Sequence, residues 1–110
     1  MTDINADGPV LEHAVLEVRA GQAAEFEEAL GQALPIIRSA TGCVRANVSR
    51  CVESPSRFLL LVEWERLADH DPGFRSSSGY QQWRALLHHF YDPMPVVEHF
   101  AEVGPKDVRG

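Results

Sequence analysis

The segment Phe58-Leu-Leu-Leu-Val-Glu-Trp64 limits the fold more than any other stretch of the chain. Phe58, Leu60, Val62 and Trp64 alternate onto one side of an extended backbone, and Leu59 and Leu61 fall on the other. A strand that is apolar on both sides needs cover on both sides. Val10 to Arg19 poses the same demand. Leu11, His13, Val15 and Glu17 point one way, while Glu12, Ala14, Leu16 and Val18 point the other. With 110 residues, 45% of them hydrophobic, the chain makes one domain with a modest core. Few elements are left over to cover a second face.

Those elements can be read in order. Residues 1–9 are polar, end in Gly8-Pro9, and read as a flexible N-terminal arm; 104–110 read as a polar C-terminal tail; the domain proper runs over 10–103. After the first strand, Gln22 to Ala40 has helical periodicity, with Ala23, Phe26, Leu30, Ala33, Leu34 and Ile37 on one side at ~100° per residue. Glutamates crowd its first turns, where the helix dipole favours anions. Pro35 removes a backbone donor and is expected to bend the helix. Gly42 suits a left-handed position beyond its end. Cys43 to Glu53 reads as a second strand, and Glu53-Ser-Pro-Ser56 as the turn of an antiparallel hairpin with a third strand, Arg57 to Glu65. A helical turn around Leu67, Ala68 and His70 precedes the break Asp71-Pro-Gly73. Ser76-Ser-Ser78 offers N-cap oxygens to a second helix, Gly79 to Tyr91, whose inner stripe is Tyr80, Trp83, Leu87 and Phe90. Val96 to Val103 reads as the fourth strand.

The order β-α-β-β-α-β predicts an α+β, ferredoxin-like fold: a four-stranded antiparallel sheet with two helices on one face. The simplest cover for the open face is a second copy of the same sheet, so the expected partner is a homodimer mate, related by a two-fold axis.

Several function classes are set aside. A net charge of -6 disfavours nucleic acid as partner. No apolar run approaches the roughly 20 residues of a membrane span, and the N-terminus lacks a signal-peptide pattern, so the expected compartment is the cytoplasm. Cys43 and Cys51, if both lie on one strand, are about 26 Å apart at ~3.3 Å per residue, too far for a disulfide. No phosphate loop, Ser-His-Asp pattern or CxxC is present. His88 and His89 are ~100° apart on a helix and cannot share a metal. His13 and His99 fall on neighbouring strands and could approach each other, as a structural pair or a dimer contact rather than a metal site, with no third ligand in view. The expectation is therefore no metal and no cofactor.

What remains is a candidate pocket between strand three and helix two. Trp64, Tyr80, Trp83 and Phe90 are its candidate walls and substrate contacts; the plain alternative for each is a core aromatic. Arg84, at the edge of the helical stripe, is a candidate for stabilising an anion, or else a surface ion-pair partner. His70, on the loop after Trp64, and His88 are candidate bases because imidazole titrates near neutrality; either is otherwise a histidine without a role.

With the layout, the start Val18-Arg-Ala-Gly21, the strand Leu60-Leu-Val-Glu-Trp64 and the segment from Gly73 to Pro93, the chain resembles the antibiotic biosynthesis monooxygenase domain family of dimeric α/β barrels. The resemblance covers about Val10 to Val103. It implies a dimer and a small aromatic ligand. Among the activities it implies is cofactor-independent monooxygenation of an aromatic phenol, quinol or polyketide-like substrate. The alternatives are a non-catalytic small-molecule-binding or stress-response dimer, and, further off, a haem-binding or haem-degrading protein. Haem-degrading members pair a strand-one asparagine with the strand-three tryptophan and a helix-two histidine. Trp64 matches, but the asparagine position is Ala14 and the histidine has no clear counterpart. The asparagine that precedes the tryptophan in polyketide oxygenases is Leu60 here. The resemblance offers Arg84 as the counterpart of their helix arginine.

Overall fold

The structure, a computed structural model, describes residues 8–104. The expected arm and tail fall outside the described residues, apart from Gly8, Pro9 and Gly104. Within them the chain forms β1 (Val10–Glu17), α1 (Ala23–Arg38), β2 (Cys43–Arg50), β3 (Arg57–Trp64), α2 (Ser78–Leu87) and β4 (Val97–Phe100). The sheet is antiparallel throughout, in the order β2-β3-β1-β4. That is the ferredoxin-like order, with both helices on one face.

The alternation in β1 and β3 sets which side each residue takes. Val10, Ala14, Leu16 and Val18 are buried together with Phe58, Leu60, Val62 and Trp64. Against them α1 sets Phe26, Leu30, Ala33 and Ile37, and α2 sets Trp83 and Leu87. α1 continues through Pro35 as one helix to Arg38. Gly42 has φ +82°, and a Cβ there would collide with the Asp69 carboxyl group, so both conformation and space demand glycine. α2 is capped by Ser77, whose Oγ accepts from the backbone N–H of Tyr80 at 3.1 Å.

Three elements differ most from the sequence reading, and the other ends move by one or two residues. β2 ends at Arg50 rather than Glu53. α2 ends at Leu87 and gives way to a tight 3-10 turn over His88–Phe90. β4 covers only Val97–Phe100, not 96–103, because it pairs with Leu11–Ala14 alone, and Pro93 and Pro95 before it have no N–H to add to the ladder.

Among the described residues no helix covers the opposite face of the sheet. Leu11, Val15 and Phe100 are exposed there, with Leu59 and Leu61 half-buried between them. Among the described residues no helix is long and apolar enough to cross a membrane.

Candidate functional site

Glu12 occupies β1 two residues before Ala14, on the core side. Strand period puts its carboxylate under the helices, where it is 4% exposed. Its partner is Trp64, at the end of β3, whose Nε1–H donates to Glu12 Oε1 at 2.9 Å. The chain then turns through a wide π-type turn, Asp69–Gly73. This lays the His70 ring parallel to the indole, with centroids 5.2 Å apart and planes 13° apart. His70 Nε2 thereby stands 3.5 Å from Glu12 Oε1. On its other side, His70 Nδ1 meets His99 Nε2 at 2.7 Å. β4 brings His99 there because its register sets His99 opposite Glu12.

A cavity of about 250 Å³ opens beside this group, between sheet and helices. Its polar wall is Glu12, His70, Arg75, Tyr80, His88 and Tyr91. Leu60, Phe74 and Trp83 give it apolar surface, and a strap containing Met94 and Pro95 closes one side. The same strap, with Pro93 and Val96, also borders a groove on the outer sheet face beside His13 and Val15. A wider, open cleft of about 540 Å³ runs between the end of α1 and the start of α2, but among the described residues Asp69 is the one ionisable side chain along it. The chemistry is concentrated in the smaller cavity.

Burial governs the electrostatics. It pushes the Glu12 carboxyl up, while the Trp64 hydrogen bond and the charge of Arg75 pull the other way. It pushes His70 down to about 4, aided by Arg75 and His99. His88 and His99 are also lowered by burial first, with Arg84 and Arg75 adding to it at His88 and Arg75 at His99. The Tyr91 hydroxyl is driven upward by burial and by Glu12, and so stays a neutral donor. Glu12 and His70 each favour their uncharged forms, so their contact is a coupled pair rather than a fixed ion pair.

A stability effect follows. The unfolded chain binds the His70 proton near pH 6.5, and the native state does so only near 4. Between those values the unfolded state holds more protons, so the native state weakens as pH falls from 6.5 to 4, by at most about 3 kcal/mol. Urea midpoints of the wild type and His70→Gln should converge across this window as acid is added. Parallel curves would show that His70 titrates normally.

Four of the seven predicted site residues come together at the cavity: His70, His88, Tyr80 and Trp83. Trp64 lies outside its lining, fully buried, with its single donor taken by Glu12. Phe90 packs edge-on against Phe26 at 5.7 Å, in the core. Arg84 is exposed on α2; the cation at the cavity is Arg75, which also pairs with Asp71 at 3.5 Å. The expected approach of His13 to His99 does not occur. His13 is opposite Glu98 on the outer face, with its ring against Phe100, while His99 faces inward. Glu12, Arg75, Tyr91 and His99 were missed as site residues. For Glu12 the signal was present: a lone acid on a strand face otherwise made of Ala14, Leu16 and Val18. Ala14, at the position where the resemblance implies asparagine in haem-degrading proteins, lines the cavity. Among the described residues no group of three His, Cys, Asp or Glu side chains is arranged to hold a metal.

Comparison with known proteins agrees with this architecture. Residues 9–86 match the family model for antibiotic biosynthesis monooxygenase. The Bacillus subtilis (strain 168) uncharacterized protein YczJ is 52% identical over 94 residues, covering 86% of this chain and 99% of that one. A solved Bordetella bronchiseptica structure, provisionally assigned as an antibiotic biosynthesis monooxygenase, superposes with a TM-score of 0.81 at 35% identity, covering 87% and 98% of the two chains. SnoaB of Streptomyces nogalater, a cofactor-independent oxygenase solved as a point mutant, shares the fold with a TM-score of 0.72 at 18% identity, over 93% and 99%. With fold, strand order and most of its length in agreement, the chain belongs to the antibiotic biosynthesis monooxygenase family.

Proposed function

We propose that the protein is a cofactor-independent monooxygenase of a small phenol, hydroquinone or anthrone-like substrate. The observation that carries this reading is the Glu12–His70 pair at the wall of a partly open cavity of mixed apolar, aromatic and polar lining. Substrates of this class are their own reductants. An activated ring CH₂, present in an anthrone and in the keto tautomer of a phenol or hydroquinone, gives one proton to the Glu12–His70 pair, leaving a resonance-stabilised carbanion. That carbanion passes an electron to O₂, and the two radicals combine into a peroxide anion. The peroxide anion takes back a proton to become the hydroperoxide; loss of the second ring proton with cleavage of the O–O bond then yields the ketone and hydroxide, which that proton turns into water, so R₂CH₂ and O₂ become R₂C=O and H₂O. His70 stays neutral, and so able to accept a proton, at any pH above about 4. Arg75 at the cavity edge is placed to stabilise the anion, the part expected of Arg84. Tyr80, His88 and Tyr91 orient the oxygen substituents, and Trp83 and Phe74 flank the ring.

The second reading, a non-catalytic binding dimer, draws on one observation. Ala14 and Leu60, apolar at the two positions where the resemblance implies asparagine, both line the cavity. An oxygen electrode separates the two. Purified protein, without added flavin or metal, is expected to consume oxygen with an anthrone, hydroquinone or naphthol above the autoxidation rate. Saturable binding of the same compounds without oxygen uptake would establish the binder instead.

The reading includes a homodimer. The exposed strip of Leu11, Val15 and Phe100 on the helix-free face is apolar enough to need cover, and a second copy supplies a face of the same shape. Val15→Glu combined with Phe100→Glu is expected to give a folded monomer in sedimentation analysis. A variant that sediments like the wild type would remove this face from the interface.

A further inference from the structure

Beyond a base, the site contains an exit for the proton. We propose that Glu12, His70 and His99 form a proton relay from the cavity wall to the edge of the sheet, with His99 as its outward member. This rests on reading His70 as the base and names the group that clears it after each transfer.

The geometry is a line of three titratable groups on three elements. Glu12 comes from β1, His70 from the turn after β3, and His99 from β4. His70 presents opposite ring nitrogens to its two neighbours: Nε2 to Glu12 at 3.5 Å, Nδ1 to His99 at 2.7 Å. The 2.7 Å contact is short for two ring nitrogens and requires one proton between them. A proton accepted at His70 Nε2, directly or through Glu12, can therefore release the Nδ1 proton to His99 Nε2. The imidazolium then resides on His99, which can lose its own Nδ1 proton to water. No redox partner enters, charge is restored by that loss, and both rings return to their first tautomers when the relay runs inward, His99 Nδ1 taking a proton from water as His70 Nε2 gives one up. Trp64 holds the sequence in place by donating to Glu12 and stacking on His70.

The direction of flow follows from the surroundings. His70 is 3% exposed, whereas His99 is half-buried on the edge strand β4. Groups facing the pair are Glu12 from β1, the uncharged Trp64 from β3, and Arg75 and Asp71 from the loop before α2. Arg75 disfavours a charge on either ring, and Asp71 favours one on both. Burial opposes charge most strongly at each ring, and it is the more complete at His70. A proton is thus driven outward to His99 rather than held at the cavity.

The test needs no substrate, so it stands apart from the oxygenase reading. In protein labelled with ¹⁵N at histidine, NMR measures exchange of the His70 ring proton with water. In His99→Asn, which keeps a hydrogen-bonding group but cannot ionise, exchange is expected to slow on the order of tenfold or more. His99→Phe should slow it equally, and added imidazole should restore it in both. Wild-type exchange in His99→Asn would overturn the relay, since hydrogen bonding alone would then suffice. Slow exchange that imidazole does not restore would also overturn it, leaving His99 as a structural prop.

Discussion

Replacing Trp64 by alanine is expected to destabilise the protein by about 3–5 kcal/mol, the usual loss for a large aromatic truncated in a core. Trp64 is fully buried at the end of β3, and it is more than filler. Its indole roofs His70 and its N–H satisfies Glu12. The alanine variant therefore loses packing and leaves a buried carboxyl without a donor. Trp64→Phe separates the two effects. It keeps most of the apolar volume and loses the N–H together with part of the ring, so about 1–3 kcal/mol is expected from the unsatisfied carboxyl, with a smaller packing loss beside it. Urea denaturation of both variants reads the difference. A Trp64→Phe variant as stable as the wild type would mean that the hydrogen bond contributes little and Glu12 finds another partner.

The second large effect is on catalysis. Glu12→Gln and His70→Gln are each expected to lower oxygen uptake by roughly 10²-fold or more, with affinity for the aromatic ligand changed little. Glu12→Gln carries a further signature. Burial pushes the Glu12 carboxyl up, so above the ordinary glutamate range its ionised form weakens the native state relative to the unfolded one. The neutral amide avoids that penalty and can still accept from Trp64. The variant should be as stable as wild type at pH 8, or more so, while being nearly inactive. That trade of stability for function is common where a charged group is held in a buried site. Wild-type turnover in Glu12→Gln would remove the carboxylate from the mechanism, and a loss of stability would show that its charge is well accommodated.

The fold was legible because period and length carry it. Phe58, Leu60, Val62 and Trp64 fixed the inward face of β3, and Phe26, Leu30, Ala33 and Ile37 that of α1. Strand ends were less legible because pairing partners decide them, as β4 shows by stopping where β1 offers no more ladder. The site was legible in part. His70, His88, Tyr80 and Trp83 stand at the cavity because a strand-to-helix passage has few places to go. Arg84 was chosen and Arg75 passed over, since the turns over Asp69–Gly73 and Phe74–Ser76, which bring Arg75 to the cavity, leave no periodic pattern in the sequence. His99 was paired with the wrong strand-one neighbour for a simple reason. A shift of one residue in strand register moves a side chain to the other face, and only the observed register puts His99 across from Glu12 instead of His13.

The strap through Pro93, Met94, Pro95 and Val96 has two audiences. Met94 and Pro95 border the inner cavity, and the same residues border the groove on the outer sheet face. A second copy docked on that face would therefore press on the wall of the ligand chamber. With the proposed dimer formed on that face, self-association and ligand capture would be thermodynamically linked, each altering the other by the same factor. Ligand affinity measured on dilute protein should then differ from that measured on concentrated protein, and saturating ligand should shift the monomer–dimer balance in the matching direction.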